Sequence, residues 1–388
     1  MGLDKIWKRW FGGARRRTST SRLRLERCES REVPAVASAP FYAIGTGPGT
    51  DATVRVYLND GTFVTEFKPF TNSANPTDFF QGGTDVAVGD IDGDGTADVI
   101  TGAGPGGGPH VKVFSGVDIL AGSTNPTKIR DFFAYQPDFR GGVNVAAGDV
   151  NGDGQIDIIT GAGPGGGPHV VVYSNGNQNV QLMNFFPYET TFRGGVDVAA
   201  GDIGGDQVTD EVITGAGPGG GPKVGVYNYL PNADPTLTAQ KIAEFFAYST
   251  TFAGGVNVSS GYTTNNRDAS NFLYADIITG AGPGGGPHVK VFRLLDALYD
   301  NNGNPANWQF FEAGNLFPYA ASFTGGVRVG RLRNGSLDDL LTGPFRNGGP
   351  DFKIFNQTSL NDLTTYVPTL RRNQFPFPAT FLGGIYVS

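Results

Sequence analysis

Two nine-residue stretches of this chain carry enough oxygen to hold a metal ion. One reads Asp90-Ile91-Asp92-Gly93-Asp94-Gly95-Thr96-Ala97-Asp98 and the other Asp149-Val150-Asn151-Gly152-Asp153-Gly154-Gln155-Ile156-Asp157. Both place an oxygen side chain at positions one, three, five and nine, and a glycine at six. Calcium takes six to eight hard oxygen ligands, and the glycine lets the loop turn sharply enough for them to converge. The seventh residue, Thr96 or Gln155, would add its backbone carbonyl. Crowding three or four carboxylates within about 4 Å costs several kcal/mol at an intermediate dielectric unless a cation lies among them. The expected ligands are therefore Asp90, Asp92, Asp94, Thr96 and Asp98 for one Ca2+, and Asp149, Asn151, Asp153, Gln155 and Asp157 for a second.

The spacing is that of an EF-hand loop, except that an aspartate at nine ends it and strands flank it. A third stretch keeps Asp202, Asp206 and Asp210, with the carbonyl of Val208 at seven, but has Gly204 at three and Gln207 at six. Fewer ligands and a less permissive turn make it the weaker candidate for a third ion. Further on, the loop is replaced by Gly261-Tyr262-Thr263-Thr264 and then by Gly330-Arg331-Leu332-Arg333, neither of which is a calcium ligand set.

Other chemistry is absent from the motifs. No Gly-x-Ser-x-Gly elbow or His-Glu-x-x-His pair occurs, so no catalytic residue is assigned. The lone Cys28 excludes an internal disulfide and any cysteine-rich zinc site. Gly102, Gly104 and Gly107 spell a dinucleotide fingerprint, but Pro105, Pro109 and a valine-rich strand stand where a helix would have to follow, so no nucleotide cofactor is expected. His110, His169 and His288 occupy one repeated place that Lys223 and Asp351 take elsewhere, which fits turn histidines rather than a shared metal.

These loops need a scaffold, and the repeat supplies it. Gly-Ala-Gly-Pro-Gly-Gly-Gly-Pro begins at Gly102, Gly161, Gly215 and Gly280, with weaker copies at Gly45 and Gly343. Phe-x-Gly-Gly begins at Phe80, Phe139, Phe192, Phe252, Phe323 and Phe381, so steps of 53 to 71 residues separate six units. Each unit holds four short runs of Val, Ile and aromatic residues bounded by Gly, Pro, Asn and Asp, which read as strands. Four-stranded sheets repeated in line predict an all-β propeller of six four-stranded blades over residues 40–388. The chain enters at a second strand near Tyr42 and stops after a first strand, Gly384–Ser388, so that last strand is expected to complete the N-terminal blade and close the ring. The pairs Phe132-Phe133, Phe185-Phe186, Phe245-Phe246 and Phe310-Phe311 are expected to pack between blades.

Composition agrees. Of 388 residues 60 are glycine and 25 proline, yet 39% are hydrophobic and 12% aromatic, which is too apolar for a disordered chain. Residues 1–35 carry ten basic and four acidic side chains, leaving 19 basic against 32 acidic beyond them. An acidic body repels phosphate backbones and argues against nucleic-acid binding. No apolar run reaches the roughly 18 residues of a transmembrane helix.

The Phe-x-Gly-Gly, Asp-x-Asp-x-Asp-Gly-x-x-Asp and Gly-Ala-Gly-Pro elements together resemble FG-GAP repeats, the blades of the integrin α-subunit propeller; the spelling is similar to repeats of planctomycete extracellular proteins. Integrin propellers have seven blades where six are counted here. The resemblance implies structural calcium at Asp90, Asp92, Asp94 and Asp98, and at Asp149, Asn151, Asp153 and Asp157. Within the basic leader of residues 1–39, Arg22-Leu23-Arg24-Leu25-Glu26-Arg27-Cys28-Glu29-Ser30-Arg31-Glu32-Val33-Pro34-Ala35 resembles the Leu-Glu-x-Leu-Glu-x-Arg-x-x-Pro-Ala export element of such proteins, with Cys28 in place of the second leucine. The expectation is an exported, non-enzymatic calcium-binding propeller that binds an extracellular protein or glycan at the cell surface. The alternative is a secreted carbohydrate-active enzyme or lectin. The irregular fifth unit, with Asn265–Tyr274 and Arg293–Ala313, is the expected ligand face.

Overall fold

Runs such as Val170-Val171-Val172-Tyr173 suit a pleated surface, and the Gly, Pro and Asp between them reverse the chain. In the computed structural model these runs pair into six four-stranded antiparallel sheets. The structure describes residues 40–388 apart from 73–74, 233, 265–266, 268–272, 297–307, 336, 357–367 and 379. The leader of residues 1–39, most of Asn265–Tyr274 and about half of Arg293–Ala313 lie outside the described residues.

Blade 2 comprises Thr84–Gly89, Asp98–Ala103, His110–Phe114 and Lys128–Phe133, and blade 3 Val143–Gly148, Asp157–Ala162, Val170–Tyr173 and Gln181–Phe185. Blade 4 follows with Val196–Gly201, Glu211–Ala216, Lys223–Tyr229 and Ala239–Phe246, blade 5 with Val256–Gly261, Asp276–Ala281, Val289–Asp296 and Gln309–Leu316, and blade 6 with Val327–Asn334, Leu337–Pro344, Phe352–Asn356 and Thr369–Gln374. Blade 1 is composite. Its strands Phe41–Thr46, Val54–Leu58 and Phe63–Phe67 receive Ile385–Val387 as the innermost strand, in the register Ile44↔Val387, Gly45↔Tyr386 and Thr46↔Ile385. The ring of six is closed as the sequence implies.

The first strand of every blade lines the axis. Second strands are buried along their whole length, as in Asp157–Ala162, which is why they read as unbroken apolar runs rather than alternating ones. Fourth strands form the outer edge, and Thr369–Gln374 is largely exposed.

The joints between blades repeat. A Cβ at Gly102 would lie 2.3 Å from the Val143 carbonyl oxygen of the next blade, and at Gly161 2.4 Å from that of Val196, so the first glycine of each string sets how closely blades approach. Further along the string Gly106 has φ +95° and donates its N–H to the Arg140 carbonyl oxygen at 2.8 Å. The closing joint repeats this bond from Asn347 to Leu382 at 3.0 Å, so closure uses the same chemistry as every other joint.

Aromatic residues at the outer end of each blade act in two ways. Tyr135 donates to the His169 carbonyl oxygen of the next blade at 2.9 Å, and Tyr188, Tyr248 and Tyr319 repeat the bond to Lys223, His288 and Asp351. Phe132 packs on Tyr173 with ring centroids 5.0 Å apart, Phe185 on Tyr227 at 4.6 Å, and Phe245 on Phe292 at 4.8 Å and Phe310 at 5.3 Å. The first phenylalanine of each pair therefore packs between blades. The second does not: Phe133 and Phe186 are about half exposed and stack on His110 and His169. In blade 5 that outer place belongs to Phe317, stacked on His288 at 4.3 Å, and not to Phe311. The histidines are thus held separately, each against its own ring.

Candidate metal centre and axial ring

The loops joining first to second strands lie at the end of the axis opposite the glycine strings. In blade 2 the loop builds itself around Asp90, whose carboxylate accepts the N–H groups of Gly93 at 2.8 Å and Gly95 at 2.9 Å. Those two glycines have φ of +76° and +88°, a region costly for any residue with a Cβ. Asp92 accepts from Asp94 and Asp94 from Thr96. Asp98, fully buried at the head of its strand, accepts from Ile91 and Gly116 at 2.9 Å each. Asp90, Asp92 and Asp98 converge, with one oxygen from each within 4.8 Å of the others. Asp94, on the exposed lip, stands outside that trio.

Blade 3 repeats the construction. Asp149 accepts from Gly152, Asp153 and Gly154, Asn151 donates its amide to Asp153 at 3.0 Å, Gln155 donates its N–H to Asp153, and buried Asp157 accepts from Val150 and Asn175. Burial pushes Asp98 up to about 6 and Asp157 up to about 7, against the pull of these N–H donors. Nearby loop carboxylates push the same way. A divalent cation is a group that such exposed, oxygen-rich loops, each closing on one buried acid, would fit.

Blade 4 differs in register. Gly201 pairs with Glu211, as Gly89 pairs with Asp98 and Gly148 with Asp157, so Glu211 and not Asp210 heads the second strand. Glu211 accepts from Ile203 and Gly204 in the manner of Asp98. Asp210 turns toward blade 3, where it accepts the Asp149 N–H at 3.0 Å. Asp202 and Asp206 are occupied within their own loop, accepting from Gln207 and from Val208 and Thr209. At position three a Cβ on Gly204 would meet the Trp308 ring at 2.6 Å, so no ligand side chain fits there. At position six Gln207 sits at φ +57°. Gln207→Gly is expected to stabilise the protein by about 1 kcal/mol, read as a rise in the urea midpoint; an unchanged or lower midpoint would show that this loop bears no strain.

In blades 5 and 6 the same buried acid has a resident cation. Asp276 has the Arg293 guanidinium 3.9 Å away and three donor contacts from Thr263 and Thr264. Asp339, which pairs with Leu332 at the corresponding register, is bonded by Arg371 and by Asn334. The residues matching Arg293 in blades 2 and 3 are Ser115 and Ser174.

A second constellation lies on the axis and was not visible as a motif. The second residue of each inner strand is polar or aromatic: Asp85, Asn144, Asp197, Asn257, Arg328 and Tyr386. Each of the first four reaches to the next blade. Asp85 accepts from Val145 at 2.9 Å and Asp197 from Val258 at 2.7 Å, while Asn144 and Asn257 donate to the Val196 and Val327 carbonyls at 2.6 and 2.9 Å. Arg328 closes over the Tyr386 ring, 3.4 Å from its centroid. The signal was present as the third residue after each Gly-Gly start, but only the register shows that it faces the axis.

Burial pushes Asp85 up to about 7 and Asp197 up to about 6, with Arg328 pulling both down and Asp197 raising Asp85 further. Tyr386 faces the same space, and its hydroxyl is raised by burial. A carboxylate raised on folding binds its proton more tightly in the native state, so stability is highest below the unfolded pKa and falls as pH rises through the folded value. At fixed calcium, the urea midpoint is expected to fall between about pH 4 and pH 7, and Asp85→Asn to flatten that fall. A fall of the same size in the variant would remove Asp85 as its source.

A family model described as "FG-GAP-like repeat" matches residues 41–101. No curated protein matches the chain. Among solved structures, the exotype rhamnogalacturonan lyase YesX is similar over 84% of this chain and 59% of its own, at 14% identity and a TM-score of 0.36. Rhamnogalacturonan lyase YesW and the Bacillus licheniformis rhamnogalacturonan lyase PL11 are similar over 86% of this chain and 78% of theirs, at 13% and 12% identity and TM-scores of 0.36. The chain thus spans less than two thirds of the length of the first of these. The matched segment covers most of blade 1 and the start of blade 2, including the first aspartate loop, and its elements recur around one axis through six blades; the chain is a six-bladed propeller that carries an FG-GAP-like repeat.

Proposed function

We propose that this protein is an exported, calcium-stabilised propeller that acts without catalysis, as a binding or adhesion module for an extracellular protein or glycan. The observation that carries the metal reading is the exchange of partners at one structural position. The buried acid that heads the second strand faces Arg293 in blade 5 and Arg371 in blade 6, but only backbone donors and further carboxylates in blades 2 and 3. A buried acid needs a positive partner or a proton, and calcium supplies the first where arginine does not. Two ions follow, one held by Asp90, Asp92 and Asp98 with Asp94 and the Thr96 carbonyl, the other by Asp149, Asn151, Asp153 and Asp157 with the Gln155 carbonyl. Blade 4, with Gly204 under Trp308, takes none; its Glu211, pushed well above the usual carboxylate range by burial, meets the same need with a proton.

FG-GAP-like repeats are typical of extracellular proteins, where free calcium reaches the levels that such loops need. Among the described residues no helix is long and apolar enough to cross a membrane. Calorimetric titration of the decalcified chain should find two calcium ions; none, or binding that survives Asp90→Asn with Asp149→Asn, would overturn the metal reading. A glycan and extracellular-protein array on the same preparation tests the binding role.

The enzyme or lectin alternative draws on Asp85 and Asp197. Both spend oxygens on backbone donors, and the inner stretch of channel that holds the two acids together measures about 100 Å³, less than a sugar ring set between the pair needs.

A further inference from the structure

Blade 6 departs from the repeat at the glycine-string end of the axis. Arg346 of Gly343-Pro344-Phe345-Arg346-Asn347 occupies the place held by Pro48, Pro105, Pro164, Pro218 and Pro283, so five prolines and one arginine rim the mouth. One level deeper, Arg328 is the single cation of the axial ring. The two arginines open on one cavity of about 350 Å³, within the range of small-molecule sites.

Among the described residues neither charge is held in an ion pair, although Arg328 also acts at longer range on Asp85 and Asp197. The Arg328 guanidinium lies 4.3 Å and that of Arg346 5.3 Å from the centroid of the Phe345 ring. A guanidinium against an aromatic face keeps its N–H edge for a planar acceptor. Arg328 Nε is buried and makes no hydrogen bond. Among the described residues neither arginine has a carboxylate within ion-pair distance, whereas Arg331 and Arg371 of the same blade do. The rest of the wall offers acceptors. Asp197 accepts one N–H from Val258, and Asn144 and Asn257 use their amide NH2 groups on backbone carbonyls, which leaves the amide oxygens for donors on a ligand.

We propose that this mouth binds a carboxylate-bearing ligand of single-sugar size, with Arg346 and Arg328 on the carboxylate and Asp197, Asn144 and Asn257 accepting from its hydroxyl groups. The site extends the binding-module reading. It takes no residue from the aspartate loops, which lie at the other end of the axis.

The test is calorimetric titration of the full chain, with and without calcium and below its melting temperature, using glucuronate, glucose and alanine as probes. Glucuronate should bind at one per chain, at least about tenfold more tightly than glucose, and more weakly in high salt. Arg346→Ala should weaken it by about tenfold or more, and Arg346→Pro, which restores the rim residue of the other blades, should do the same in a chain whose melting temperature is unchanged. Equal binding of glucose, wild-type affinity in both variants, preference for alanine, or no glucuronate binding at about 10 mM would each overturn the proposal. Glucuronate binding to a chain that shows no calcium response would sink the metal reading and leave this one standing; a calcium response without glucuronate binding would do the reverse.

Discussion

Deleting Ile385–Ser388 is expected to lower the unfolding free energy by on the order of 5 kcal/mol and to make the protein associate. Ile385 is fully buried, and Tyr386 and Val387 are 5% and 8% exposed; burying one such side chain contributes about 1.5–3 kcal/mol. The loss spreads beyond their own contacts. Tyr386 covers Arg328 on the axis, and the Val387 carbonyl sits where a Cβ on Gly330 would be, 2.7 Å away. Without the strand, the fully buried Phe41–Thr46 becomes an open inner edge, a template for pairing with another chain. Urea unfolding with size-exclusion chromatography reads both effects. A truncated chain that stays monomeric and unfolds within about 1 kcal/mol of the intact one would show that closure contributes little to the ring.

The second large effect is that of calcium. At a hundredfold excess over its dissociation constant, each ion adds about 2.7 kcal/mol, so two sites should add about 5 kcal/mol, lost on chelation. Asp90→Asn should remove the blade 2 share and Asp149→Asn the blade 3 share, since each leaves one loop with a weakened first ligand. Asp206→Asn should leave the calcium increment intact, because Asp206 serves only its own loop. Arg293→Ala gives the contrast: it strips Asp276 of its cation and should destabilise the protein equally with and without calcium. Melting temperatures recorded in excess calcium and in chelator decide this. Identical values for the wild-type chain would remove calcium as the partner of Asp98 and Asp157.

The blades were legible because turn chemistry is local. Phe-x-Gly-Gly and Gly-Ala-Gly-Pro mark positions where a Cβ would strike a carbonyl or where φ is positive, and such constraints act on single residues. The alternating and continuous apolar runs between them reveal strands for the same reason. Asp90 to Asp98 was legible as a unit because all its acids fall within one turn of chain. Position counting failed in blade 4. The loop is one residue longer there, and only the pairing Gly201↔Glu211 shows which acid heads the strand.

By itself, the sequence determined six units, their strand order, the composite blade and the two complete aspartate loops, since each is written in contiguous residues. Tertiary structure alone decided which groups meet from different strands and different units. Arg293 and Arg371 as the cations of blades 5 and 6, Trp308 pressed on Gly204, and the ring from Asp85 to Tyr386 join residues tens to hundreds of positions apart. Nothing in local propensity ties such residues together; the closure of the ring does, by bringing six equivalent positions to one axis.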